Sequence, residues 1–305
     1  MRIADSILSA NYLVALNSNK EQVEEIQQKI ATGSKINKPS DSPSGISRVL
    51  RLQEQLQTGE TYLKNIEDSQ SFMQTTASSL EGMQNEIQNT LVLFTDAINP
   101  VNVSNYPSYA KQIDMTLSTL MDLANSEYGG KYLFGGTDFS AKPYGYNASG
   151  QVELKVGATS GQQMTRISKY MEQATNIPGA DLFTNVPATG TTNTQNSTDI
   201  FNTLLRVKAS LENGDSPADS DVAAVKTFQD NIAKQLTVAG DLINRLDSTH
   251  ELMDSQQLDL KGLLSKEKDV DVAEAVMDLQ NREYYLQLSY KMSSMVLPKS
   301  LLDYM

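Results

Sequence analysis

Cysteine and tryptophan are absent from this chain of 305 residues, and histidine occurs once. Without cysteine there are no disulfides, no thiolate metal sites and no thiol nucleophile. Compartment stays open, because cytosolic and exported proteins can both do without it. A single histidine, His250, cannot assemble a zinc site, which draws several ligands together; it is expected in a partly buried helical seam. Nucleophilic catalysis needs a base beside its nucleophile. Only carboxylates and lysines remain for that task, and no paired set stands out from the solvated helix faces. The chain is therefore read as no enzyme, with no cofactor and no metal. Positive charge is also scarce. A formal net charge of −12 and no Lys/Arg cluster longer than two residues argue against nucleic acid and against an anionic membrane surface. No stretch reaches the ~18 apolar residues of a membrane span. Met1 to Ala10 holds one arginine and no apolar run of signal-peptide length, so any export is expected without a cleaved signal.

What fills the chain is helical pattern. Hydrophobic residues make up 39% and aromatics 7%, which suits narrow helix–helix seams needing few large side chains. Near the N-terminus Leu16, Val23, Ile26 and Ile30 recur at coiled-coil spacing, with Tyr12 one turn earlier. Gly33, Pro39, Pro43 and Gly45 then break the pattern. The run Lys38 to Gly45 reads as an ordered turn, with Ser42 as N-cap and Pro43 at the first helical position. From about Ser44 to Ile98 an apolar stripe returns: Leu52, Leu56, Leu63, Ile66, Met73, Ala77, Leu80, Ile87, Leu91 and Phe94. A helix of that length needs partner helices along it, and Asn99-Pro100 ends it. Tyr106, Tyr109, Ile113, Leu117, Leu120 and Leu123 mark a third helix.

The period changes at Tyr128. Glycines and prolines punctuate short segments, and Val152, Leu154 and Val156 alternate with Glu153 and Lys155 as a half-buried strand. A turn with Gly157 and Gly161 predicts a hairpin between this strand and Gln162–Ile167. Pro187 to Thr198 reads as a polar loop. Helix resumes near Asp199 with Phe201, Leu204, Leu205 and Leu211. A heptad seam follows through Leu236, Ala239, Ile243, Leu246, His250, Met253, Gln257, Leu260 and Leu264. Beyond Asp269-Val270-Asp271 the last helix carries Val272, Val276, Leu279, Leu286, Tyr290 and Leu297 in phase. It also holds Tyr284, Tyr285, Met292, Met295 and Val296, so apolar residues spread beyond one face, as an intersubunit interface requires.

These runs predict a mainly α fold, a long antiparallel coiled-coil bundle of N- and C-terminal segments with a small inserted β-rich domain. The expected division is 1–40 with 266–305 as a terminal assembly core, 41–130 with 198–265 as a long-helix bundle, and 131–197 as the β-rich outer domain. The residues expected at an assembly interface are Leu16, Val23, Ile26, Ile30, Val276, Leu279, Leu286, Tyr290, Leu297 and Leu301. Weaker patterns fall to plainer readings. Asp269, Asp271 and Glu274 lack the glycine and terminal glutamate of a calcium loop and suit helix capping. Gly129-Gly130-Lys131 has Asn125 and Tyr132 where a phosphate loop needs glycine and Ser/Thr. Three Asn-X-Ser/Thr triplets, at Asn102, Asn147 and Asn196, read as surface polarity.

Four motifs stand in order along the chain: Ile30–Asn37 with Lys38–Gly45, Gly130–Thr137, Asn176–Phe183, and a tail with Asp269–Ala275, Leu286–Tyr290 and Ser300–Met305. Together they resemble the flagellin superfamily, and within it the hook-associated protein 3 family of the flagellar hook–filament junction. The Lys38-Pro39-Ser40-Asp41 run differs from the Asn-Ser-Ala-Lys-type stretch usual in filament flagellins. Val270 interrupts the family's Asp-Ala-Asp tail, and Leu288 replaces a small residue; both keep the helical pattern. The resemblance implies a structural adaptor joining the hook side to the flagellin filament through its terminal helices. Implied partners are copies of itself, flagellin, another hook-associated protein on the hook side and an export chaperone on the C-terminal helix. Implied location is the extracellular flagellum, reached by the flagellar type III route. A filament flagellin is the alternative in the same class; a secreted ligand-binding module on a helical stalk is the one outside it.

Overall fold

The computed structural model describes residues 2–155, 159–184, 186 and 199–296. Among the described residues seven helices and six short strands follow one another: α1 (Arg2–Thr32), α2 (Pro43–Ile98), a 3₁₀ turn (Pro100–Asn105), α3 (Tyr106–Ala124), β1 (Glu127–Tyr128), β2 (Lys131–Tyr132), β3 (Tyr144–Tyr146), β4 (Val152–Leu154), β5 (Met164–Ser168), β6 (Met171–Ala174), α4 (Gly179–Leu182), α5 (Ile200–Asn213), α6 (Asp219–Lys268) and α7 (Val272–Val296). The expected mainly α fold is borne out. The chain forms two compact units, Met1–Thr58 with Ser255–Met305, and Gly59–Asp254.

In the first unit the N- and C-terminal segments run antiparallel. Helix α1 ends at Gly33, whose φ of 66° is a left-handed conformation that glycine adopts without strain. The chain after it clasps the link between α6 and α7: Lys35 N donates to Lys268 O at 2.6 Å and Val270 N to Gly33 O at 3.0 Å. Arg48 pairs with Glu267 at 3.0 Å, and buried Gln257 donates to Leu56 O at 2.9 Å. Gln257 stands in the heptad seam, so this polar contact ties α6 to one level of α2.

The second unit holds the main core. The expected stripe of α2 from Leu63 to Phe94 is buried or half-buried, and Phe72, Met83 and Ala97 are buried beside it. Buried hydroxyls among them satisfy themselves on the helix's own carbonyls: Ser69 on Asn65 O, Thr76 on Phe72 O and Thr90 on Glu86 O, at 2.6 to 2.9 Å. A chain poor in large apolar residues can thus still bury a broad helix face. Helix α3 adds Tyr106, Ile113, Leu117 and Leu120, and α5 adds Phe201, Leu204, Val207 and Leu211. Asp199 caps α5 by accepting from Asn202 N, and Gly214 closes it at φ 88°.

The β elements depart from the expected pairing. Strand β4 pairs with β3, Tyr144 opposite Leu154, and β5 pairs with β6, so no hairpin joins 152–156 to 162–167. The chemistry of the turn accounts for the β3–β4 pair. Asn147 Oδ1 accepts from Ser149 N and Gln151 N, both at 2.9 Å, and folds a tight turn between β3 and β4. Two residues, Lys169-Tyr170, close β5–β6. Glu153, expected to be exposed by alternation, is buried beside Lys155 Nζ at 2.7 Å. Val156, Gly157 and the Pro187–Thr198 stretch lie outside the described residues.

Candidate assembly surface

Helix α1 presents one stripe to its partner. Tyr12, Leu16, Asn19, Gln22, Val23, Ile26 and Ile30 are buried or half-buried, and the residues between them are mostly exposed. On α7 the covered stripe is narrower: Ala275, Leu279, Leu286 and Ser289. Tyr12 donates its hydroxyl to Ser289 O. With Val270 bonded to Gly33 at the other end, this register sets Leu16 level with Leu286 and Val23 level with Leu279. Asp271 starts α7 as its N-cap, accepting from Ala273 N at 2.9 Å and Glu274 N at 3.2 Å. That is the capping role expected of the acidic run.

Beyond that stripe α7 leaves a set of apolar side chains uncovered. Val272, Val276, Met277, Tyr284, Tyr285, Leu288, Tyr290 and Met292 are all exposed, Tyr284 to 60%. Leu13 and Val14 are exposed on α1. The residues expected at an assembly interface thus divide. Leu16, Val23, Ile26, Ile30, Leu279 and Leu286 lie on the stripes along which α1 and α7 pair within the chain. Val276 and Tyr290 face outward. Leu297 and Leu301 lie outside the described residues. Phase arithmetic selected one stripe per helix and so passed over Met277 and Leu288; the only signal for them was apolar residues off the main phase.

The turn between α1 and α2 is built as its residues predicted. Asp41 Oδ2 accepts from Asn37 N at 3.0 Å and Lys38 N at 2.8 Å, and Ser42 Oγ accepts from Gly45 N at 3.1 Å. A Cβ at Gly45 would stand 2.6 Å from Ile36 Cδ1, so this glycine permits a close approach. The two backbone amides, Lys38 first, hold the Asp41 carboxyl below its ordinary value of 3.8. A depressed carboxylate contributes order above its unfolded pKa and loses it as pH falls through the folded value. The Asn37 and Lys38 amide resonances should therefore titrate together, with a midpoint below pH 3.8. In Asp41→Ala that shared titration should vanish; its persistence would assign the turn to another group.

Two of the motifs interlock in the second unit. Asn176 Nδ2 donates to Gly136 O at 3.0 Å and Gly161 O at 3.1 Å, while its Oδ1 accepts from Gln163 N at 2.7 Å. A Cβ on Gly179 would meet Phe134 O and the Tyr144 hydroxyl, each at 2.4 Å. So Gly130–Thr137 and Asn176–Phe183 form one packed joint, and burial pushes the Tyr144 phenol well above its ordinary range. His250 is half-buried in the α6 seam, 3.5 Å from Glu67 Oε1. Among the described residues no helix is long and apolar enough to cross a membrane.

Comparison with known proteins accords with this architecture. Residues 3–138 match the bacterial flagellin N-terminal helical region. Flagellin of Bacillus subtilis (strain 168) is 24% identical over 297 residues, covering 96% of this chain and 95% of that one. The flagellar hook-associated protein 3 structure from Legionella pneumophila superimposes with a TM-score of 0.62 at 14% identity, over 72% of this chain and 98% of that one. FlgL from Bacillus cereus gives 0.55 at 19% identity, over 70% and 99%. The resemblance to the flagellin superfamily read from the sequence is borne out, and the fold is that of the hook-associated proteins.

Proposed function

We propose that this chain is a structural adaptor of the bacterial flagellum, joining the hook side to the flagellin filament, and that it has no catalytic role. The observation that carries the reading is the face of α7 left uncovered by α1. Each of its eight exposed apolar side chains contributes about 1–2 kcal/mol when buried. Their sum is on the order of 10 kcal/mol, comparable with the ~4–15 kcal/mol that association costs. One pair of subunits is then weakly held, and a ring or tube in which each subunit meets several neighbours is stable. The hook-associated fold supports the junction position, as does the Lys38–Asp41 turn that sets the chain apart from the usual flagellin opening.

On this reading residues 1–40 with 266–305 form the assembly core, 41–130 with 198–265 the surrounding bundle, and 131–197 an outer domain. The partners are other copies of the chain, flagellin, and a second hook-associated protein on the hook side. Export follows the flagellar type III route without signal cleavage, with a chaperone on the C-terminal helix until assembly.

Filament flagellin is the competing reading, favoured by the full-length identity to the Bacillus subtilis protein. Polymerisation separates the two. The purified chain, seeded with filament fragments, should add no long filament of its own; growth of micrometre filaments would make it a flagellin. Tyr290→Asp tests the surface itself. Tyr290 is exposed, so the variant should melt as the wild type does and yet fail to support filaments. Normal filament number in that variant would remove this part of α7 from the interface.

A further inference from the structure

The second unit carries a cleft for which the adaptor role has no use. Its volume is about 330 Å³, and its walls include Asp68 and Phe72 of α2, Tyr128 and Lys131 of the β1–β2 hairpin, and Thr165 and Thr175 of the β5–β6 segment. Phe72 and Tyr128 meet edge to face with centroids 6.4 Å apart, and Tyr128 is 42% exposed. An aromatic surface therefore stays open to the cleft.

The polar groups are rich in acceptors. The Asp68 carboxylate has no hydrogen bond or ion pair among the described residues. Asn65, Ser69 and Gln163 add amide and hydroxyl groups to the same lining. The Thr165 and Thr175 hydroxyls bond to each other at 3.1 Å, and the Thr175 hydroxyl also donates to Gln163 O at 3.3 Å.

Such a lining selects a ligand by elimination. Lys131 on the wall opposes a cation, and Asp68 opposes an anion. An apolar solute would strand the acceptors without donors. What remains is a neutral molecule with several hydroxyl donors and one apolar face. We propose that this cleft is a saccharide subsite for one hexose-sized ring, its C–H face on Tyr128 and its hydroxyls on Asp68. This goes beyond the adaptor reading and does not rest on it.

Saturation-transfer NMR on the full chain tests it, with glucose, galactose and N-acetylglucosamine as free sugars at millimolar concentration. At least one sugar should receive transfer at its ring protons, and Asp68→Asn and Tyr128→Ala should each weaken binding by about tenfold, the loss expected for one hydrogen bond to a charged group or one stacking face. Should Tyr128→Ala melt early, Asp68→Asn alone decides, since its carboxylate is exposed and bonded to nothing among the described residues. No transfer to any of the three sugars, or equal transfer in the wild type and Asp68→Asn, overturns the proposal.

Discussion

Leu286→Asp should abolish filament growth and, unlike Tyr290→Asp, should also release α7 from α1 in the isolated chain. Leu286 is half-buried on the covered stripe of α7, level with Leu16 in the register set by Tyr12 and Ser289. A carboxylate there loses the leucine's burial and is itself partly desolvated, a combined cost of about 2–4 kcal/mol. Few of the other described side chains of α7 are covered, and a helix in a folded protein draws most of its stability from its packed face. Amide exchange across 275–289 should therefore quicken, with the core of the second unit unaffected. Gln280→Asp, on an exposed position, should change neither. Retained protection across α7 in Leu286→Asp would show that the α1–α7 stripe does not hold this helix.

Phe201→Ala should produce the largest loss of stability in the second unit, about 3–5 kcal/mol. Phe201 is fully buried at the start of α5, its ring 5.1 Å from Phe183 and 5.6 Å from Tyr144. Phe183 in turn meets Phe134 at 5.8 Å and Phe228 at 5.6 Å, so one truncation opens a space beside the hub of an aromatic cluster. Phe201→Leu keeps most of the volume and should cost less than about 1.5 kcal/mol. Urea unfolding followed at a probe in the second unit separates them. A loss under 1 kcal/mol for alanine would mean the cluster relaxes into the space, contrary to its dense packing.

The helical part of this fold was legible because its period is long and repeated. The Leu236–Leu264 heptads lie buried or half-buried throughout, and Ser42 caps α2 one residue before Pro43, as read. The β part was legible in kind and not in pairing. Val152–Leu154 is a strand, but its partner was chosen by an Asn147 turn that looked like surface polarity. Period alone could not see that the Asn147 side chain, by accepting from two backbone amides, closes the turn of residues 147–151. The interlock of Asn176 with Gly136 was also hidden, since it depends on backbone approach that only a fold displays. On α7 the opposite held. Tyr284, Tyr285 and Met292 beyond the in-phase stripe pointed to a second contact surface before any coordinates, and those side chains do stand uncovered.

Electron microscopy of flagella from a strain lacking this gene tests the adaptor role most directly. Cells should carry hooks without filaments, with flagellin monomers shed into the medium, and a plasmid copy of the gene should restore filaments. Normal filaments on the deletion strain would contradict the account, and so would loss of the hooks themselves.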